Sequence, residues 1–347
     1  MTPSSTTTTL PTADHVPLRG GPVLRWGVLA PGRIAGAFAR ALHAHTDQRI
    51  VAVASRSPER GAAFAAEHGI ATVLTDYESL VARQDVDVVY VAAPHTHHRE
   101  LALLAIAAGK PVLVEKPVGI SAAEAREVAD AARAAGVYVL EAMWTRFQPK
   151  TIAIHRLVAD GALGTVREVE AAFGFAFAPD PANRLFDPAL GGGALLDLGV
   201  YPISFALALL GAPTGVDIRG RLAFTGVDAH AVIIGEHAGG ALSRLSTSLD
   251  AEPDNRAVVL GEAARIEVDP SFHASGAFEL VTPTERLRWE DPSGLTGSDP
   301  LAFQAVAAAA DIAEGRLESA LHPMSAAIAV LEVIDLGRER LGAVALG

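Results

Sequence analysis

From Leu24 onward, short runs of β-branched and apolar residues alternate with alanine-rich segments whose apolar positions recur every three or four residues. This alternation predicts strands at Leu24–Ala30, Arg49–Ser55, Val86–Ala93, Pro111–Glu115 and Val137–Met143. Helices are expected between them at Arg33–His45, Pro58–His68, His97–Ala108 and Ser121–Ala135. Runs such as Val88-Val89-Tyr90-Val91 are apolar at every position, as in a parallel sheet covered by helices on both faces. Residues 23–143 are therefore expected to form a doubly wound α/β domain with a parallel sheet.

After Met143 the rhythm changes. One helix, a strand near Val166–Phe177 and a glycine-entered helix from Gly193 lead into a series of strand-like runs. These are Asp217–Phe224, Ala229–His237, Gly240–Leu249, Ala257–Leu260 and Phe278–Val281, with short turns that favour antiparallel pairing. Helices at Pro300–Glu314 and Pro323–Leu341 close the chain. Residues 144–347 are expected to form a substrate-binding and oligomerisation α+β domain, its final helix packing back on the first domain. Residues 1–22, rich in Thr, Ser and Pro and lacking a signal peptide's basic start and apolar run, are expected to be a disordered tail.

Composition narrows the chemistry. At 347 residues the chain exceeds the usual size of one core, in keeping with two domains. It contains no cysteine, which removes disulfides, thiolate ligands and cysteine nucleophiles. With 28 Lys+Arg against 40 Asp+Glu, the net charge of -12 argues against nucleic acid or an anionic membrane as a partner. The mean hydropathy of +0.28 raises the question of a membrane span. The longest uncharged stretch, Leu198–Val216, is interrupted by Pro202, Gly211 and Pro213, so a buried core helix is expected and a cytoplasmic location with it.

Three places carry candidate chemistry. Gly27-Val28-Leu29-Ala30-Pro31-Gly32-Arg33-Ile34-Ala35-Gly36 leaves a strand and enters a helix, where a dinucleotide fold presents free backbone N–H groups to a pyrophosphate. Ala30 stands at the first glycine of that fingerprint and Ala35 at the third, and the loop alone equally describes a ligand-free turn. At the end of the second strand the chain reads Ser55-Arg56-Ser57, with no carboxylate for the ribose 2′-hydroxyl of NAD. Arg56 could pair with a 2′-phosphate, with Ser55 and Ser57 as hydroxyl donors, so NADP is favoured over NAD; the other reading of Arg56 is a solvated loop residue.

Lysine is scarce, and Lys116 ends an apolar strand at the edge where open α/β sheets bind ligands. An ammonium there could reach a nicotinamide ribose and a substrate oxygen, or form a capping ion pair with Glu115. Gly191-Gly192-Gly193 leads into a helix on which Asp197 and Tyr201 share one face. Pro202 should kink that helix beside Tyr201, and taken alone an Asp and a Tyr at this spacing are more often a satisfied core pair than a site. His95, His97 and His98 invite a metal reading, but adjacent imidazoles point apart and no acidic ligand accompanies them, so no metal is expected.

Together Gly27…Gly32-Arg33-Ile34-Ala35, Ser55-Arg56, Pro94-His95-Thr96-His97-His98, Glu115-Lys116-Pro117 and Gly192-Gly193…Asp197-x-Gly199-x-Tyr201 resemble the glucose-fructose oxidoreductase, inositol dehydrogenase and rhizopine catabolism (Gfo/Idh/MocA) family. Glu141-Ala142-Met143-Trp144-Thr145-Arg146-Phe147 and the tyrosine look most like its dihydrodiol and NADP-dependent xylose dehydrogenases. The resemblance implies a Rossmann domain followed by an open-faced, mainly antiparallel sheet domain, with the pocket between them. It assigns Lys116 as the catalytic lysine, Tyr201 as acid/base and Asp197 as the conserved carboxylate, with Trp144 and Arg146 on the substrate side. Pro94 and His98 fall beside the nicotinamide, and Ala30, Gly32, Arg33, Ile34, Ser55, Arg56, Glu115 and Lys116 on the cofactor side.

The expected function is hydride transfer between a nicotinamide and a sugar, polyol or cyclic diol, with Tyr201 moving the proton and the Lys116 ammonium lowering its pKa. A non-catalytic NADP-sensing module and a redox-neutral enzyme with tightly held cofactor are the alternatives. The family's exposed sheet face implies a homodimer or homotetramer.

Overall fold

The computed structural model describes residues 10–12 and 15–347. The first half contains β1 (Arg25–Leu29), α1 (Arg33–His45), β2 (Arg49–Ala54), α2 (Pro58–His68), β3 (Thr72–Leu74), α3 (Tyr77–Val81) and β4 (Val88–Val91). It continues through α4 (His98–Ala107), β5 (Val112–Val114), α5 (Ala122–Ala135) and β6 (Val139–Glu141). The strands form a six-stranded parallel sheet in the order β3-β2-β1-β4-β5-β6. Chain direction across the sheet reverses between β1 and β4, and at such a switch point a crevice opens beyond the strands' carboxyl ends. Alternate strand residues feed two apolar clusters: Val89 and Val91 belong to one, Val88 and Tyr90 to the other. This two-sided burial is why the strands are apolar at every position.

The second half holds α6 (Pro149–Ala159), β7 (Val166–Gly174), α7 (Val200–Leu210), β8 (Gly215–Leu222), β9 (Asp228–Glu236), β10 (Leu242–Ser248) and β11 (Ala257–Gly261). It ends with β12 (Arg265–Val268), β13 (Ala277–Val281), β14 (Arg286–Glu290), α8 (Leu301–Ala313) and α9 (Met324–Leu341). These strands make an eight-stranded sheet in the order β14-β13-β12-β11-β7-β10-β9-β8, antiparallel except where β10 runs parallel to β7. On β9, Ala231 and Ile233 are buried while Val232 and Ile234 are exposed, so one face packs inward and the other is open.

The closing helices return to the first sheet. α8 packs on α1, and α9 packs on α5, where Asp335 accepts from Ala122 N at 2.9 Å. The uncharged stretch expected as a core helix lies in Pro188–Leu210, which is long and apolar enough to cross a membrane but has 78% of its most apolar window buried within the fold.

Several elements differ from expectation. β3, α3, β12 and β14 were not anticipated, being short and flanked by polar residues that mask their period. Of the expected disordered tail, residues 1–9, 13 and 14 lie outside the described residues, and the described remainder is largely exposed but held at a few points. Trp289 Nε1 donates to Pro11 O at 3.0 Å, the His15 ring meets Phe303 at 4.9 Å, and Arg19 pairs with Asp47 at 3.0 Å. The anchors belong to the body of the protein, so the tail's own composition did not reveal them.

Candidate active site

Lys116 leaves the carboxyl end of β5 and turns away from the carboxylate of its neighbour. Its ammonium donates to the backbone oxygen of Asp197 at 2.6 Å and to Asp197 Oδ1 at 3.3 Å, and stands 4.9 Å from the centroid of the Tyr201 ring. Glu115 instead points into the core, accepting from Tyr90 Oη at 2.5 Å and from the backbone N of Lys116 at 3.3 Å. The capping ion pair between Glu115 and the Lys116 ammonium is therefore not formed. The geometry commits that ammonium to the second constellation.

Asp197 and Tyr201 come together through an irregular helix entry. Gly193 has φ 124, and a Cβ there would lie 2.5 Å from Asp228 Oδ1, so only glycine fits. Asp228 in turn accepts from Leu195 N at 2.6 Å, capping the turn that follows. Leu195–Gly199 forms one widened π turn before α7 begins at Val200. In such a turn the donor for the Asp197 carbonyl would be residue 202, a proline without an N–H, and Lys116 Nζ supplies the hydrogen bond instead. Pro202 thus acts through a π turn ahead of it, at the place where a kink was expected.

The electrostatics follow from this packing. Burial opposes the charged form of Asp197, but Lys116, His95 and Arg184 together hold it well below the usual carboxylate range. Arg184 Nη2 donates to Asp197 Oδ1 at 3.1 Å, and His95 Nε2 lies 3.5 Å from the same oxygen. Burial likewise opposes the Lys116 ammonium, yet Asp197, Tyr201 and Glu115 raise its pKa overall. For Tyr201, burial outweighs the opposing pull of Lys116 and Trp144, so the phenol sits above its ordinary value. This corrects the expectation that the ammonium alone would carry the phenol downward. Burial also pushes Glu115 up to about 7, against the pull of Tyr90 and Lys116.

A cradle fit for a dinucleotide lies at the switch point. Ala30 has φ 57, so it adopts the left-handed conformation that the fingerprint's first glycine would provide, and the turn keeps its shape. Gly32 caps α1, open space surrounds the position its Cβ would take, and no acidic residue occupies the first turn of that helix. Arg33 and Ile34 are exposed beside it. At the end of β2, Ser55 is buried, while Arg56 is exposed and has no partner among the described residues. Ser57 is occupied, capping α2 at Arg60 N and donating to Glu59 Oε2 at 2.9 Å.

Pro94 opens a single turn, His95–His97, ahead of α4. His98 is fully buried, its ring nitrogens 2.6 Å from Pro117 O and 2.7 Å from Ala93 O, and burial with His95 lowers its pKa to about 3. The ring is neutral at ordinary pH and carries one N–H, so it donates to one of these two carbonyls beside Lys116, and which one depends on the tautomer. Of the remaining histidines, His95 contacts Gly191 O at 3.0 Å, and His97 lies 3.8 Å from Glu100.

On the side where the resemblance expects the substrate, Trp144 Nε1 donates to Tyr201 Oη at 3.1 Å, and the phenol's own proton has no acceptor among the described residues. Arg146 is tied to Leu321 O at 2.9 Å and to His155 Nε2 at 2.8 Å, and burial lowers its pKa to about 10. It still lines a small cavity with Tyr201, Phe205, Phe272 and His273.

Residues 24–143 match the model described as an oxidoreductase family with an NAD-binding Rossmann fold, and residues 151–267 match the GFO/IDH/MocA C-terminal domain. Trans-1,2-dihydrobenzene-1,2-diol dehydrogenase of Mus musculus is 32% identical over 329 residues, covering 92% of this chain and 97% of that protein. The chain belongs to the GFO/IDH/MocA oxidoreductase family. Among solved structures, an aldose-aldose oxidoreductase from Caulobacter crescentus complexed with glycerol superposes with a TM-score of 0.82 at 26% identity, covering 92% of this chain and 97% of the other. A 3-ketoreductase from Actinomadura kijaniata, solved with NADP and TDP-benzene, gives 0.78 at 25% identity, covering 91% and 97%.

Within this GFO/IDH/MocA protein, several residues at the site were not singled out from the sequence. Arg184 sits shortly before the triple glycine, but nothing in its spacing points to Asp197. Tyr90 lies inside an apolar strand, where a phenol reads as core. His273 packs against Tyr201 at 5.5 Å and Trp144 at 6.1 Å, and only the fold brings it there.

Proposed function

We propose that this family member is an NADP-dependent dehydrogenase or reductase acting on a sugar, polyol or cyclic dihydrodiol, with Tyr201 as acid/base and Lys116 as its charged neighbour. The observation that carries the reading is the Lys116 ammonium, held by Asp197 and set over the Tyr201 ring. A bound nicotinamide supplies the hydride acceptor or donor.

The chain's own groups supply the rest. The N-terminus of α1 with Gly32, Arg33 and Ile34 offers backbone N–H groups to a pyrophosphate, and Ala30 turns the chain beneath it. The guanidinium of Arg56, without a partner among the described residues, suits a 2′-phosphate, which favours NADP over NAD. With Trp144 donating to Tyr201 Oη, the phenol proton is free to pass to a substrate oxygen in reduction, and the phenolate accepts it back in oxidation. Lys116 stays charged and favours the phenolate, while Asp197 fixes the ammonium in place. The dihydrodiol dehydrogenase and aldose oxidoreductase relatives support a vicinal diol or sugar as substrate. The exposed Val232, Ile234 and Leu242 on the open sheet face support a homo-oligomer.

The test follows nicotinamide absorbance against aldoses, inositols, dihydrodiols and dicarbonyls with NADP and NAD. Turnover of a diol or sugar with NADP preferred is the expected result. Tight cofactor binding with no net turnover on any of them contradicts the reading and points to a sensing or redox-neutral protein.

A further inference from the structure

We propose that Glu141 and His322 form a positioning pair that holds the Lys116 loop against the Tyr201 ring; the inference rests on the proposed Lys116–Tyr201 chemistry. Glu141 ends β6, opposite Val114, the last residue of β5 before the loop. Its Oε1 accepts from Val118 N at 2.9 Å and its Oε2 lies 2.7 Å from His322 Nε2. Both side chains are out of water, at 2% and 1% exposure. His322 comes from the segment that enters α9, so the pair ties the end of the chain to the loop carrying the lysine.

Three consecutive residues of that loop are each held by a buried side chain. Glu115 takes the N–H of Lys116, His98 meets the carbonyl of Pro117, and Glu141 takes the N–H of Val118. Burying a carboxylate and an imidazole is expensive, and apolar side chains of similar volume would pack the same space more cheaply. The return is a fixed direction for the Lys116 side chain, two residues before Val118. Misplacing a reacting or charge-stabilising group by about 1 Å can lower rates on the order of 100-fold.

The phenol of Tyr201 reports on this geometry directly. Facing it are Lys116, Asp197, Glu115, Trp144 and His273, with Tyr90 behind Glu115 and Arg146 lining the same cavity, and of these Lys116 is the cation whose placement Glu141 governs. Ultraviolet titration of each full-length protein, read as its difference from the matching Tyr201→Phe variant, isolates this phenol from Tyr77, Tyr90 and Tyr138. Glu141→Ala is expected to move the Tyr201 titration to higher pH and to lower kcat by about 10-fold or more with little change in KM for the cofactor. Glu141→Gln keeps an acceptor for Val118 N–H and should restore the phenol titration. Where Glu141→Ala does not fold, His322→Ala, which frees only one carboxylate oxygen, should move the phenol in the same direction by less. An unchanged phenol titration in the folded variant, even with lowered activity or stability, overturns the inference. A moved phenol with unchanged kcat upholds the positioning pair and removes Tyr201 from proton transfer, so the two readings fail separately.

Discussion

The ammonium of Lys116 lies 4.9 Å from the centroid of the Tyr201 ring, and it is held there by the backbone oxygen of Asp197, not by the neighbouring Glu115. The pair shares one buried space in which the phenol is kept above its ordinary pKa and the lysine stays charged.

A directional pH dependence follows. With its pKa raised, Tyr201 is protonated at neutral pH, the form that reduction of a carbonyl requires. Oxidation requires the phenolate, so its kcat should climb as pH rises from about 7 to about 9, while reduction stays level or falls. Steady-state rates in both directions across that range are the check. Oxidation independent of pH would show that another group accepts the proton.

Glu115 carries a stability consequence. Its folded pKa of about 7 lies above its ordinary value, so the folded chain binds the proton more tightly than the unfolded one. The associated stability, roughly 3 kcal/mol at most, is fully present below the ordinary glutamate pKa and is lost as pH rises through about 7. Glu115→Gln removes this titration, so its Tm should vary less than the parent's between about pH 5 and about pH 8. Parallel curves for the two proteins would contradict the assignment.

Arg56 sets cofactor choice in this account. Arg56→Asp replaces the guanidinium with a carboxylate suited to a ribose hydroxyl, and the ratio of kcat/KM for NADP over NAD should fall by about 10-fold or more. An unchanged ratio would leave Arg56 as a solvated loop residue.

Much of this arrangement was legible in the sequence because periodicity and motif spacing are local signals. Continuous apolar strands separated by helical segments specify every strand of the first sheet except the short edge strand β3, and the strand ending at Lys116 is read from that pattern. Ala30 shows the limit of a fingerprint: the residue departs from glycine, yet its φ of 57 preserves the turn. What stayed hidden depends on long-range packing. Arg184 reaches Asp197 across 13 residues of chain, and His322 meets Glu141 across 181, distances at which no spacing rule operates. The direction of the Tyr201 shift was misjudged for the same reason. The nearby cation was visible in the motif, whereas the depth of burial that outweighs it is a property of the folded molecule.

The central claim is tested most directly by kcat for Tyr201→Phe and Lys116→Ala, measured by nicotinamide absorbance with the best substrate at saturation. If these residues move and steer the proton, each variant loses about 100-fold or more in kcat while still binding the cofactor. Near-parental turnover in both would contradict the account and place the acid/base group elsewhere in the cleft.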